Sequence, residues 1–149
     1  MRAVVQRVSS ASVTVDGKIK GSIEKGLLVF AGLDKEDNEN DGKYIASKIA
    51  GLRIFEDVDG KMNLSVREVK GKVLLISQFT LAGDARKGRR PSFEKAMRPE
   101  EALPLFDKLV NSVKSEGLTV ATGQFQAHME ISLINDGPVT ILLDSKKVF

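Results

Sequence analysis

The chain has no cysteine and no tryptophan, and only one tyrosine and one histidine among its 149 residues. Without cysteine there is no thiol nucleophile, no disulfide and no Cys-ligated zinc. A lone histidine cannot build a multi-His metal centre. His128 alternates with Met129 in a segment that reads as strand, so it is expected on a strand surface. The scarcity of Trp and Tyr also argues against a platform that stacks single-stranded bases, and with it against a non-catalytic RNA-binding module.

No apolar run approaches the roughly 18 residues of a membrane span. The amino-terminal MRAVVQRVSSASVTV alternates polar and apolar residues where a signal peptide would carry an apolar block. Hydrophobic residues make up 42% of the chain, enough for a continuous core without staples. The expectation is a soluble, cytoplasmic protein with one domain over residues 1–149 and no membrane partner. The net charge is only +3, but it is uneven. DKEDNEND (34–41) is acidic, whereas ARKGRR (85–90) carries four cations in six residues. Such a cluster suits phosphate oxygens and a solvated loop equally well.

Ala11, Val13 and Val15 alternate with Ser12, Thr14 and Asp16, the pattern of a half-buried strand; Asp16-Gly17 is a favoured hairpin turn, and Lys18 to Ile23 returns. GLLVFAGL (26–33) and VLLISQFTL (73–81) are nearly continuous apolar runs suited to the centre of a sheet. Tyr44, Ile45, Lys48, Ile49 and Leu52 fall at helical spacing behind a cap at Asn40 or Asp41. Short strands are expected at 53–56 and 62–66, around Asp59-Gly60. A second helix, broken by proline, is predicted over 92–116, with Leu103, Phe106, Leu109, Val110 and Val113 on one face. Strands follow at 119–121, 129–134 and 139–143. Two helices inserted among strands imply an α+β domain, with a curved, largely antiparallel, barrel-like sheet.

Two nucleotide- or metal-binding patterns fail on inspection. DNENDG (37–42) begins like a calcium loop, but the twelfth position is Lys48 where a bidentate Glu is required. Gly83 to Gly88 has P-loop spacing, yet Arg89-Arg90 stand in place of Lys and Ser/Thr. Two stretches remain. SQFT (77–80) closes a buried strand; it reads either as the strand's exit into solvent with Phe79 still in the core, or as a site. Period-2 geometry puts Gln78 and Thr80 on one face and Ser77 and Phe79 on the other. INDGPVT (134–140) reads as a tight hairpin, but Pro138 removes a donor where such a hairpin closes its first ladder bond.

MRAVVQRVSSASVTVDG, SQFTLAGDARKGRRPSF and NDGPVT, in that order and spacing, closely resemble the D-aminoacyl-tRNA deacylase family, over essentially the whole chain. Two departures are Gln126 where that family usually has glycine and Ala82 where an aromatic is frequent. The resemblance implies a homodimer that proofreads aminoacyl-tRNA by ester hydrolysis, without metal or cofactor. It places catalysis at Ser77, Gln78, Phe79 and Thr80, with the backbone N–H groups of Phe79 and Thr80 as oxyanion donors. It implies that a cis Gly137-Pro138 pair, with Asn135 beside it and Arg7 holding it, faces the partner chain's SQFT and rejects L-aminoacyl esters by clash. Arg86, Lys87, Arg89 and Arg90 would hold tRNA phosphates. Glycyl-tRNA is a further candidate substrate.

Overall fold

The computed structural model describes all residues, 1–149. Its first strand, β1 (Arg2–Val15), turns through Asp16-Gly17 into β2 (Lys18–Ile23), which continues after a bend as β3 (Gly26–Gly32). Asp16 and Gly17 both have positive φ, as a two-residue hairpin turn requires. β2 and β3 pair antiparallel with the two halves of β1. The apolar β3 run then pairs parallel with β6 (Lys72–Ser77), and β6 pairs parallel with β7 (Val120–Thr122). The last strand, β8 (Glu130–Asp144), runs antiparallel along β1 and pairs with no other strand.

The sheet is therefore antiparallel around β1 and parallel through β3, β6 and β7. It curls until its far strands meet: a Cβ at Gly21 would lie 2.6 Å from the Thr122 carbonyl oxygen. The α+β class, the two main helices and the barrel-like curvature match the sequence-based expectation. A small hairpin of β4 (Phe55–Glu56) and β5 (Met62–Leu64) stands apart and is shorter than predicted.

Both faces of the central strands are covered, which is why 26–33 and 73–81 read as unbroken apolar runs. Ala3 and Val5 of β1, Leu27 and Val29 of β3 and Val73 and Leu75 of β6 pack against the helices. Val8, Leu28, Leu74 and Ile76 form a second cluster inside the curl. α1 (Glu39–Gly51) buries Ile45 and Ile49, and α2 (Pro99–Ser115) buries Leu105, Phe106, Leu109 and Val113. No helix is long and apolar enough to cross a membrane.

Several boundaries differ from the sequence reading, each for a local reason. α1 is capped by Asn38, not by Asn40 or Asp41; the Asn38 side chain accepts from the Asn40 amide at 2.9 Å, and the Asp41 carboxylate accepts from the Asn38 amide at 2.9 Å. α2 starts at Pro99 because proline suits the first helical position, where its missing donor costs nothing. Pro104 lies inside the helix without ending it. β6 stops at Ser77, and Phe79–Ala82 form a 3₁₀ turn, so the run 73–81 is not one strand. The expected hairpin at Asp136-Gly137 does not form. β8 continues on both sides of it, because Asn135 pairs opposite Val8 and Thr140 opposite Gln6, leaving Asp136 to Val139 facing Arg7 alone. The strand extrudes that segment as a bulge.

Asp41 is buried in this fold and bound by Lys146 Nζ at 2.9 Å and 3.1 Å. Burial alone would raise its pKa, but hydrogen bonds from Ser145, Lys146 and the Asn38 amide outweigh it and bring the value from 3.8 to about 2. A carboxyl depressed in the folded state adds stability that is complete above about pH 4 and is lost as pH falls towards 2. Lys146 is partly exposed, so screening reduces the contribution to about 1 kcal/mol. Urea unfolding should show that pH-dependent loss in the parent and a flatter profile in Asp41→Asn; coincident profiles would contradict this role.

Candidate active site

The end of β6 delivers SQFT to the mouth of a cavity of about 680 Å³. Ser77, Gln78 and Phe79 form one wall. Opposite stand Phe125 to Met129, and the segment leading into α2, with Phe93 and Met97, closes the third side. Apolar surface dominates, with a few polar side chains at the rim, the composition of a small-molecule site. Phe79 is 59% exposed, so it does not belong to the core; its ring meets Phe93 edge to face at 5.2 Å.

Gln78 and Thr80 do meet, through the 3₁₀ turn and not through the strand alternation read from the sequence: Gln78 Nε2 donates to Thr80 Oγ1. That hydroxyl oxygen is thus an occupied acceptor with its proton free to donate. No side chain of the protein accepts that proton. The Gln78 amide spends itself on the Ala31 carbonyl at 2.8 Å, which fixes the exit from β6. The next two amides, of Phe79 and Thr80, open the 3₁₀ turn and donate to no acceptor within the chain. Two adjacent free N–H groups at a cavity mouth are a ready oxyanion site.

The second predicted group sits elsewhere. The guanidinium of Arg7 is buried; its Nη1 donates to the Ile54 carbonyl at 2.7 Å and its Nε to the Asp136 carbonyl at 2.9 Å. Asn135 ties the bulge at its base, accepting from the Val139 amide at 2.9 Å and donating to Thr140 Oγ1 at 3.0 Å. Between these two grips, Gly137 and Pro138 are exposed and their peptide bond is cis. Gly137 has φ +138°, and a Cβ there would lie 2.7 Å from the Val139 side chain and 3.1 Å from Arg7 Nη2, so only glycine fits.

Within one chain the two groups do not meet. Arg7 lies opposite Leu27, which lies opposite Val73, four residues from Ser77. Three strand spacings across and four residues along put the bulge roughly 20 Å from SQFT over the sheet. None of Asn135 to Pro138 lines the cavity.

The basic loop is closed by a pair of backbone bonds between Asp84 and Ser92, 2.8 and 2.9 Å. Residues 85–91 all face solvent. Arg86 is held by Asp84 at 2.9 Å and 2.5 Å, a contact that keeps the Asp84 carboxyl far below its usual range. Lys87, Arg89 and Arg90 form no ion pair. The sequence reading missed the cavity's far wall. His128 is exposed, but it lies in the loop before β8 and not on a strand as expected, and it lines the cavity. The signal lay in the departure at Gln126, whose φ of 61° is a conformation glycine adopts freely.

Residues 4–144 match the family described as D-Tyr-tRNA(Tyr) deacylase. D-aminoacyl-tRNA deacylases of Koribacter versatilis and Thermotoga petrophila are 61% and 57% identical to this chain, each over 149 residues and the full length of both proteins. A solved structure titled c-Myc DNA Unwinding Element Binding Protein is 38% identical, with a TM-score of 0.91 over 97% of this chain and 98% of its own. A probable eukaryotic D-amino acid tRNA deacylase shares the fold at 16% identity, with a TM-score of 0.83 over 95% of this chain and 97% of its own. The chain belongs to the D-Tyr-tRNA(Tyr) deacylase family.

Proposed function

We propose that the protein hydrolyses the ester of D-aminoacyl-tRNA, with SQFT as its catalytic segment. The observation that carries this reading is the pair of unused Phe79 and Thr80 amides at the mouth of an apolar cavity. Attack on an ester carbonyl builds negative charge on its oxygen, and preorganised N–H donors stabilise that charge at no reorganisation cost. The cavity beside them, walled by Phe79, Phe93 and Phe125, is large enough for the terminal nucleoside that carries the ester.

Thr80 orients and does not attack. Its oxygen already accepts from Gln78, and no base is in contact to take its proton. The neighbouring ribose hydroxyl of the substrate activates the water. Exposed Lys87, Arg89 and Arg90 hold tRNA phosphates, whereas Arg86 is committed to Asp84 and shapes the loop.

Selection against L-esters falls to the exposed Gly137-Pro138 bulge, acting on the SQFT of a second copy. Support for a homodimer comes from β8: its outer edge is unpaired, and Leu133, Ile134 and Leu142 on it are exposed. A long apolar edge strand of this kind is ordinarily covered. The bulge then excludes by volume what it cannot accommodate.

Release of free D- and L-amino acid from charged tRNA tests the function directly; hydrolysis of D-tyrosyl-tRNA with L-tyrosyl-tRNA spared is expected, and equal rates would refute it. Thr80→Ser should keep activity and Thr80→Ala should lower kcat about 10- to 100-fold, far less than the loss of a nucleophile; a trapped acyl-enzyme would overturn this role. Neutralising Lys87, Arg89 and Arg90 should raise KM and flatten its salt dependence, by up to about 0.9 in log–log slope per duplex phosphate lost. Arg86→Ala should do so much less. Arg7→Ala should release the bulge and admit L-esters; an equal fall in both activities would sink the selectivity role.

A further inference from the structure

A second cavity, of about 610 Å³, adjoins the first and shares Ser77, Phe125 and Met129 with it. Its composition is different. One side is the exposed face of α2, where Asp107, Asn111 and Lys114 recur at helical spacing; the other is the end of β7 and the residues after it, with Thr122 and Gln124. The side chains of Asn111, Lys114, Thr122 and Gln124 have no hydrogen-bond or ion-pair partner within the chain. Lys114 is thus an unpaired cation among three unpaired hydrogen-bonding groups, next to the cavity assigned to the terminal nucleoside.

We propose that this second cavity binds the sugar–phosphate linkage between the terminal and penultimate nucleotides of the substrate. Lys114 faces the phosphate, and the amides of Asn111 and Gln124 and the Thr122 hydroxyl donate to its oxygens. The proposal rests on the nucleoside reading of the first cavity and extends it by one linkage. The match is chemical: aromatic walls suit a base, whereas a cation with amide and hydroxyl donors suits phosphate oxygens. Asp107 fits the same arrangement. It lies seven residues from Lys114, roughly 10 Å along the helix, so it repels phosphate from the far end and directs it towards the lysine. Lys114 is exposed like the cations of the 85–90 loop, but it lines a recess shared with unpaired amide and hydroxyl donors, which they do not.

Two substrates separate this contact from catalysis: D-tyrosyl-tRNA, and the D-tyrosyl ester of adenosine, which ends before the linkage. For Lys114→Ala, KM for D-tyrosyl-tRNA should rise about fivefold with kcat unchanged, and its log–log salt slope should fall by about 0.7, the value for one single-stranded phosphate. KM and kcat for the adenosine ester should stay as in the parent, which also shows that the variant is folded. Lys114→Arg should restore tRNA binding. An unchanged KM for D-tyrosyl-tRNA would overturn the proposal, as would an equal rise on both substrates. If the parent cleaves D-tyrosyl-tRNA and the ester but Lys114→Ala alters neither, this site alone fails. If the parent cleaves neither, the nucleoside reading fails with it.

Discussion

The Arg7 guanidinium is a buried charge in the middle of the longest strand pairing in the molecule, and it must be satisfied by something other than water. β8 supplies the answer by giving up its register. It sets Asp136 to Val139 against the single residue Arg7, and the arginine takes the Asp136 carbonyl on one side and that of Ile54 on the other. With one partner removed, the other groups would remain buried and unpaired, which is more costly than the bond itself is worth. The bulge is therefore a fixed part of the sheet, tied again by Asn135, and it presents Gly137 and Pro138 to the outside. Its position on the far side of β1 from β3 and β6 separates it from SQFT and makes a second chain necessary if the two are to form one site.

The SQFT end of the sheet depends on a different feature, the early stop of β6. Had the strand run on to Leu81, the amides of Phe79 and Thr80 would have entered a ladder. The 3₁₀ turn leaves them free, and Phe79 moves out of the core to meet Phe93. The same turn brings Gln78 and Thr80 within hydrogen-bonding distance, so that the hydroxyl is aimed before any substrate arrives. Rigid strands thus place groups that an irregular turn makes available.

How much of this was legible in the sequence follows from whether the deciding contact was local. The Asp16-Gly17 turn, the alternation of Ala11, Val13 and Val15 and the helical faces of α1 and α2 are set by neighbours in the chain and appear where their patterns put them, except that Leu103, read onto the buried face of α2, is exposed and Leu105 is buried in its place. Asp136-Gly137 carries the same turn signal yet forms no hairpin, because a charge 129 residues away in sequence holds the strand open. The end of β6 was misjudged because Phe79 and Leu81 continue the apolar run, and nothing local marks the bend. Motif resemblance identified SQFT and Gly137-Pro138 as candidates. It did not indicate Phe93, Phe125 or Lys114, which become neighbours of SQFT only through tertiary folding.

Sharing of one site between two chains is tested most directly with mixed dimers. One chain would carry Gln78→Ala and Thr80→Ala with its bulge intact, and the other an intact SQFT with Arg7→Ala. Under the proposed arrangement the single competent SQFT would face the intact bulge of its partner, so the purified mixed dimer should hydrolyse D-tyrosyl-tRNA at about half the parent rate and still spare L-tyrosyl-tRNA. Cleavage of L-tyrosyl-tRNA at about half the rate of the Arg7→Ala homodimer would show that each bulge acts on its own chain, contrary to the arrangement proposed.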